Sequence, residues 1–159
     1  MRNSKSARNE ISVESVSAID GSSVSAHRSW NMSRIRSRDT LPERKLRSLL
    51  HRAGLRFRVN NTTLPGKPDI VLSRHGLVVF VHGCFWHQHQ DCDLAKLPKT
   101  RTEFWREKFE KTRSRDQRAV FELESLGWRV IVIWECEIER TEELALRRVL
   151  EVVTARKAP

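Results

Sequence analysis

Long apolar runs are missing from this chain of 159 residues. A helix that spans a membrane needs about 20 consecutive apolar residues, and runs such as Leu77 to Val81 are far shorter. The N-terminus has no apolar segment of the kind that a secretory signal contains, and Glu10, Glu14 and Asp20 are unusual in a transit peptide. We therefore expect a soluble cytoplasmic protein without a membrane partner.

Cysteine is also scarce, with three residues in the whole chain. Three cysteines cannot all pair, and in a reducing compartment cysteines beside histidines are more typical of a metal site than of disulfides.

Acidic residues are outnumbered, because 30 lysines and arginines against 20 aspartates and glutamates give a net charge of +10. A balance of this sign favours a polyanionic partner, nucleic acid ahead of an anionic membrane.

The basic charge is concentrated in two segments. Residues 33–60 carry nine basic and two acidic side chains, and residues 96–118 carry nine and four. Residues 119–159 carry six basic and eight acidic side chains, so we expect this part to face solvent or protein rather than phosphates. Ordinary solvated surface is the alternative interpretation of either basic segment.

The apolar pattern predicts one α/β domain over residues 31–159, after a serine-rich extension over residues 1–30 that we expect to be disordered. Helices are predicted from Thr40, where Thr-Leu-Pro-Glu resembles a capping box, to Gly54, from Thr100 or Thr102 to Leu126, and from about Thr141. Strands are predicted at Leu55–Val59, Asp69–Ser73, Leu77–His82 and Trp128–Trp134. This order indicates a mixed central sheet flanked by helices.

The segment from His82 to Cys92 contains three histidines, two cysteines and an adjacent Phe-Trp pair. Tetrahedral zinc takes four sulfur or nitrogen ligands, and the chain offers Cys84, His89, Cys92 and the distant Cys136. A fourth ligand at the end of a separate strand favours a closed structural site that holds the loop to the sheet. His87 is a competing ligand, and free buried cysteines are the alternative interpretation.

A carboxylate lies at the entry of a predicted buried strand, where Leu-Pro-Gly-Lys-Pro leads to Asp69. The partner strand ends at His82, so the two strand ends can share a metal. Mg²⁺ needs only one or two carboxylates with carbonyl, water and phosphate oxygens, which Asp69 and the backbone carbonyl of Val81 would supply. An aspartate that merely caps a turn is the alternative.

Histidines and aromatic residues complete this set. A histidine, with an ordinary pKa near 6.5, can accept a proton from an attacking water at neutral pH, and the candidates are His87 and His82; either could instead be a surface histidine without a role. Glu43 either caps its helix or turns toward the metal. Adjacent bulky rings cannot both enter one core, so either Phe85 or Trp86 is predicted to stack on or wedge between bases, with Trp105 as a further candidate.

Four motifs in order together resemble the very short patch repair (Vsr) DNA mismatch endonucleases, from about Asn31 to Glu139. They are Leu64-Pro-Gly-Lys-Pro-Asp, Val79-Phe-Val-His-Gly-Cys-Phe-Trp-His, Pro98-Lys-Thr-Arg-Thr-Glu-Phe-Trp, and Gly127-Trp-Arg-Val with Trp134-Glu-Cys. The resemblance implies a restriction-endonuclease-like α/β core and a Mg²⁺-dependent hydrolase. Such an enzyme nicks one DNA strand 5′ to the thymine of a T:G mismatch that arises from deaminated 5-methylcytosine.

The resemblance also implies roles by matching position. Asp69 would be the catalytic metal-binding aspartate with the Val81 carbonyl, and His87 would activate water, with the site completed by His82, Glu43 and Asp116. The implied structural zinc ligands are Cys84, His89, Cys92 and Cys136. Phe85, Trp86 and Trp105 would intercalate from the major groove, and Met32 would approach from the minor groove.

Two positions depart from the family pattern. The loop has one residue more between His89 and Cys92 than the compact form of the motif, which leaves the loop ligand less certain than Cys84 or Cys136. Val81 replaces a frequent threonine, which is harmless if only the carbonyl binds metal.

The implied partner is duplex DNA with a T:G mismatch, in the cytoplasm and at the nucleoid. A monomer suffices to nick one strand, and the sequence leaves open whether mismatch-repair proteins assist. Two alternatives are a restriction-like nuclease of the same fold that acts on matched DNA and a non-catalytic, zinc-stapled DNA-binding module.

Overall fold

The computed structural model describes residues 38–155. The predicted extension over residues 1–30 and the predicted DNA contact at Met32 lie outside these residues. Within residues 38–155, no helix combines the length and the apolar character that crossing a membrane requires.

The first helix, α1, spans Leu41–Arg52 and begins where the capping pattern predicts. The Thr40 side chain accepts a hydrogen bond from the Glu43 N–H, and a proline occupies the first turn, where its missing N–H costs nothing. Gly54 follows the helix with φ of +81°, a conformation that favours glycine. The helix buries Leu46 and Leu50 completely.

Four strands form one mixed sheet in the order β1-β2-β3-β4. Their bounds are Arg58–Val59 for β1, Ile70–Leu72 for β2, Leu77–His82 for β3 and Arg129–Trp134 for β4. The first three strands pair antiparallel, whereas β3 and β4 pair parallel. The predicted mixed sheet is therefore confirmed. The strand predicted at Leu55–Val59 is shorter than expected, because Leu55 and Phe57 pack against the core beside the sheet instead of pairing within it.

Four further helices follow β3 and β4. They are α2 at Cys84–His87, α3 at Thr102–Ser125, α4 at Glu135–Arg140 and α5 at Glu142–Thr154. The long α3 and the last helix agree with the apolar pattern. The short α2 and α4 were not predicted, because four and six residues are too few to show a helical period.

The sheet is covered on both faces. Alternate residues of β3 point to opposite sides, as the two-residue period of a strand requires: Leu77 and Val79 join a core with α1, α4 and α5, while Val78 and Phe80 join a second core with Leu123 of α3. His82 continues the second set, so its side chain is on the face that α3 covers. This layering brings the middle of α3 next to the end of β3.

Candidate active site and metal centre

The site lies at the edge of the sheet where the parallel strands β3 and β4 both end. His82 and Trp134 are partners in the register at this edge, and helices α2 and α4 begin within two residues of them. Ligands in α/β proteins commonly bind outside the carboxyl ends of parallel strands. The topology therefore brings the His82–Cys92 segment and Cys136 together, although they are far apart in sequence.

The four predicted zinc ligands form one cluster, in which the ligand atoms of Cys84, His89, Cys92 and Cys136 all lie within 4.8 Å of one another. The His89 Nδ1 atom is 3.3 Å from the Cys136 sulfur and 3.6 Å from the Cys84 sulfur. Zinc bonds of about 2.0–2.3 Å in a tetrahedron separate ligand atoms by roughly 3.3–3.8 Å. The residues therefore fit a tetrahedral ion of the Cys3His type.

The sequence left two questions about the loop open: whether His87 or His89 is the ligand, and whether Cys92 reaches the cluster despite the additional residue. His89 lies with the cysteines, whereas His87 belongs to a separate group with His82 and Asp116. Gln88 and Asp91 adopt left-handed backbone with φ of 50° and 54°. These turns fold the loop back on itself, so that Cys92 reaches the other ligands despite the additional residue.

Two residues that the sequence interpretation missed support this cluster. The Trp134 ring stacks on His89 with 4.1 Å between centroids, and the Glu135 carboxylate accepts a hydrogen bond of 3.2 Å from the Cys84 N–H. Their position beside Cys136 was the available signal. Both contacts orient a ligand rather than supply one, which is the usual task of residues around a metal.

Burial sets the protonation of the thiols. It raises the pKa of Cys84 to about 12 and raises the pKa of Cys136, whereas the Leu94 N–H lowers the pKa of the half-buried Cys92 thiol. A zinc ligand must be a thiolate, so metal uptake by these thiols releases protons and depends on pH.

Asp69 immediately precedes β2, and a tight turn delivers it there. Lys67 N–H donates to the Leu64 carbonyl at 3.1 Å, and Gly66 has φ of +67°, with the position of a Cβ only 2.5 Å from Ala119 of α3. Only glycine fits this approach. The Asp69 Oδ2 atom accepts a 2.8 Å hydrogen bond from the Val81 N–H, which fixes the carboxylate against the end of β3.

Burial makes Asp69 harder to ionise than an exposed aspartate. Burial raises the pKa of Asp69 to about 6, and the negative charge of Glu43 adds to the rise, although the Val81 N–H opposes it. A buried carboxylate of this kind gains more from a bound cation than an exposed one does. The arrangement suits a metal ligand.

Glu43 caps helix α1, which is one of the two roles that the sequence left open. It is 4 % exposed, and its carboxylate accepts hydrogen bonds from the Asp39 N–H at 3.0 Å and the Thr40 hydroxyl at 2.8 Å, which cap α1. Its charge also acts on Asp69. Arg47, one helical turn later, donates to Glu43 at 2.7 Å and was missed, although its spacing of four residues is that of a helical ion pair.

The second histidine group consists of His82, His87 and Asp116. The rings of His82 and His87 stack with 3.7 Å between centroids, and the His87 Nδ1 atom lies 2.5 Å from Asp116 Oδ2. Burial acts to raise the pKa of Asp116, but the hydrogen bond and the charge of His87 hold it below its ordinary value. Asp116 is therefore an anion that orients the His87 ring.

The two histidines differ in burial. His82 is 8 % exposed, and burial together with the charge of His87 lowers its pKa to about 3. A histidine with so low a pKa stays neutral at pH 7 and is a weak base. His87 is the better placed of the two to exchange a proton.

The predicted aromatic residues meet on one surface. Phe85 makes edge contacts with Trp86 and Trp105 at centroid distances of 5.1 Å and 5.4 Å, and the ammonium of Lys108 lies 5.2 Å from the Trp86 ring. The three predicted rings are half-buried. The cluster is thus packed against α3 yet keeps surface available to a partner.

Comparison with known proteins agrees with these features. Residues 23–94 match the family profile described as DNA mismatch endonuclease Vsr. The DNA mismatch endonuclease Vsr of Escherichia coli (strain K12) is 51% identical over 119 residues, which cover 75% of this chain and 76% of that protein. A type II nicking enzyme of Xanthomonas oryzae pv. oryzae is 48% identical over 126 residues, 78% of this chain and 92% of that enzyme. The solved catalytic domain of a homing endonuclease aligns with a TM-score of 0.48 and 18% identity, covering 72% of this chain and 94% of that domain. On its sequence similarity, this chain belongs to the Vsr family of DNA mismatch endonucleases.

Proposed function

We propose that this protein nicks one strand of duplex DNA 5′ to the thymine of a T:G mismatch left by deaminated 5-methylcytosine, as in very short patch repair. Membership of the Vsr family supports the reaction class. The observation that carries the proposal is the short segment from His82 to His89, which joins an Asp-oriented histidine, a half-exposed aromatic pair and two candidate metal ligands. The core would be restriction-endonuclease-like, with catalytic Mg²⁺ and structural Zn²⁺.

Asp69 and the backbone carbonyl of Val81 would hold Mg²⁺, with Glu43 close enough to add negative charge. When bound, the ion stabilises the charge that develops on the scissile phosphate. The chain contributes a carboxylate that is already oriented by the Val81 N–H. It also contributes a setting whose burial raises the pKa of Asp69 to about 6, so that a bound cation would favour the ionised form further.

His87 is the proposed general base. Because Asp116 accepts the hydrogen bond from the Nδ1–H group, the Nε2 atom carries the lone pair and takes the proton from the attacking water. His82 packs flat against this ring as a neutral imidazole and limits its rotation. The pair resembles the histidine–aspartate arrangement in which the carboxylate sets the tautomer and stabilises the imidazolium.

Recognition of the mismatch would depend on how easily the DNA deforms. A T:G pair stacks less well than a matched pair, so inserting Phe85, Trp86 and Trp105 beside it costs less there than in matched DNA. Met32 would act from the opposite groove. The positive segments at residues 33–60 and 96–118 would supply contacts to phosphates, whose strength falls as salt concentration rises.

The proposed zinc would be structural. Four protein ligands leave no position open for substrate, and the ligands Cys84 and His89 flank the Phe85–His87 segment. The ion would thereby fix the aromatic residues and the base relative to the sheet. A purified sample, acid-digested and analysed for metal, should contain about one zinc per chain.

Nicking assays test the proposal directly. Purified protein and Mg²⁺ are incubated with end-labelled duplexes that carry one T:G mismatch in varied flanking sequences, together with matched T:A and C:G duplexes. We expect nicking only 5′ to the mismatched thymine. Cleavage of matched duplex would favour a restriction-like nuclease, and absence of cleavage with retained binding would favour a DNA-binding module.

Asp69→Ala serves as the active-site variant in the same assay. It should abolish nicking and retain DNA binding, because the aspartate holds the metal and does not contact the aromatic cluster. Glu124→Gln, on the exposed end of α3, is the control for removal of a negative charge. Nicking by Asp69→Ala at the wild-type rate would contradict the assignment of Asp69.

A further inference from the structure

The basic side chains of helix α3 differ in how their charge is balanced. Three of them form ion pairs with glutamates one turn earlier: Arg106 with Glu103 at 2.5 Å, Lys111 with Glu107 at 2.5 Å and Arg113 with Glu110 at 2.8 Å. Arg115 makes a different contact. Its guanidinium donates to Asp116 Oδ1 at 3.2 Å, and Asp116 is the residue that orients His87.

Asp116 therefore has a partner on each oxygen. Its Oδ2 atom holds His87, and its Oδ1 atom holds Arg115. The Arg115 side chain is 68 % exposed. A guanidinium has five N–H donors in a planar fork, so most of those of Arg115 remain open to a ligand that approaches from solvent.

Arg115 reaches the site through Asp116, whose Oδ1 atom accepts its guanidinium N–H at 3.2 Å. Another arginine beside the site, Arg47, is only 14 % exposed and donates to Glu43 and Asp39. Its guanidinium is engaged within the protein, whereas that of Arg115 faces outward beside the base.

A cationic side chain beside the scissile phosphate would favour phosphodiester hydrolysis. A water oxygen bonds to phosphorus, His87 takes the water proton, and the bond from phosphorus to the leaving sugar oxygen breaks, with that oxygen gaining a proton from solvent. Negative charge builds up on the non-bridging oxygens during this displacement. Fixed donors aimed at such charge are among the largest contributors to catalysis, and the guanidinium fork matches two phosphate oxygens.

We propose that Arg115 is a further catalytic residue, whose guanidinium binds a non-bridging oxygen of the scissile phosphate while Asp116 holds it beside His87. The inference rests on the proposed nicking function. It makes Asp116 the common support of the base and of the phosphate-binding group. The chemical class of ligand is a phosphodiester anion.

Single-turnover nicking of a T:G duplex with saturating enzyme provides the test. We expect Arg115→Gln to lower the rate about 10²- to 10³-fold, as loss of one donor to transition-state charge does. Arg115→Lys, which keeps the charge and loses the fork, should fall between that variant and the wild type. Arg147→Gln, at an exposed position of α5 outside both basic segments, should stay within about threefold, in line with ordinary surface substitutions.

A phosphorothioate at the scissile position separates contact from support. Sulfur in place of the oxygen bound by Arg115 weakens that hydrogen bond, so one diastereomer should slow the wild-type enzyme. Arg115→Gln has already lost this contact. For that variant, the ratio of the rates on the oxygen and sulfur substrates should therefore become similar for the two diastereomers. Circular dichroism of each variant checks that the fold is retained.

Two results would overturn the inference. One is an equal rate for Arg115→Gln and Arg147→Gln, which would make Arg115 an ordinary surface residue. The other is a slow Arg115→Gln with the wild-type sulfur effect for both diastereomers, which would show that Arg115 only supports Asp116. A wild-type protein that fails to nick T:G duplex would instead overturn the proposed function itself.

Discussion

Replacing Asp69 with asparagine should stabilise the protein while it removes activity. The folded-state pKa of Asp69 is raised to about 6 from an ordinary value of 3.8, chiefly by burial. The unfolded chain therefore releases this proton at lower pH than the folded chain does. Below pH 3.8 both states are protonated and the group has no effect; above pH 6 the folded protein holds a buried charge that the unfolded chain exposes to water.

The size of the effect follows from the difference in pKa. About two pKa units at about 1.4 kcal/mol each correspond to roughly 3 kcal/mol of lost stability above pH 6. Asparagine cannot ionise, and its carbonyl oxygen can still accept the Val81 N–H. We therefore expect Asp69→Asn to raise the free energy of unfolding at pH 7 by up to about 3 kcal/mol, and by about half as much at pH 5.

Urea denaturation of the zinc-loaded protein in Mg²⁺-free buffer measures this difference at pH 5 and pH 7. Effects of pH on the thiol cluster are common to both proteins and cancel in the comparison. Added Mg²⁺ should stabilise the wild type and leave Asp69→Asn unchanged, because ligands stabilise only the state that binds them. Glu124→Gln controls for charge. A variant no more stable than wild type at pH 7, or a difference independent of pH, would refute the reasoning.

Three further substitutions have definite expected results. Asp116→Asn should lower the single-turnover nicking rate about 10²- to 10⁴-fold, because the His87 tautomer is no longer set. Cys136→Ser should reduce zinc content well below one ion per chain and lower the melting temperature, because a thiolate ligand is lost. Leu50→Ala, at a fully buried position, should cost about 2–5 kcal/mol in the free energy of unfolding by urea denaturation.

Each of these variants has a matched control. Gln117→Ala, the exposed neighbour of Asp116 on α3, should nick normally. Gln90→Ala, an exposed residue in the same loop as the cluster, should retain zinc. Leu126→Ala, where leucine is 63 % exposed, should change stability by less than about 1 kcal/mol. Equal behaviour of any variant and its control would remove the role assigned to that residue.

Elements with a long, regular apolar pattern were predictable from the sequence. Strand β3 matches its predicted bounds of Leu77 to His82, and α3 ends within one residue of the prediction. Thr40 gave the start of α1 because a side-chain cap is a local interaction. These signals need no knowledge of tertiary structure.

The short elements and the pairing within the site were not predictable in the same way. Helices α2 and α4 begin next to the ends of β3 and β4, and each carries a cysteine of the cluster, Cys84 or Cys136, within its first two residues. The choice between His87 and His89 depended on which ring faces Cys136 and which faces Asp116. Only the parallel pairing of β3 with β4 and the packing of α3 determine this, and both are long-range contacts.

The aromatic pair and the base share a single turn of helix, since Phe85, Trp86 and His87 are consecutive residues of α2. Residues on one helical turn move together. Under the proposed function, the rings therefore cannot enter the DNA stack without bringing the general base His87 to the DNA backbone. Matched DNA that resists insertion would hold the base away from the phosphate. Discrimination would then act on the cutting rate of bound complexes as well as on affinity, and tight binding to a wrong site would still leave that site intact.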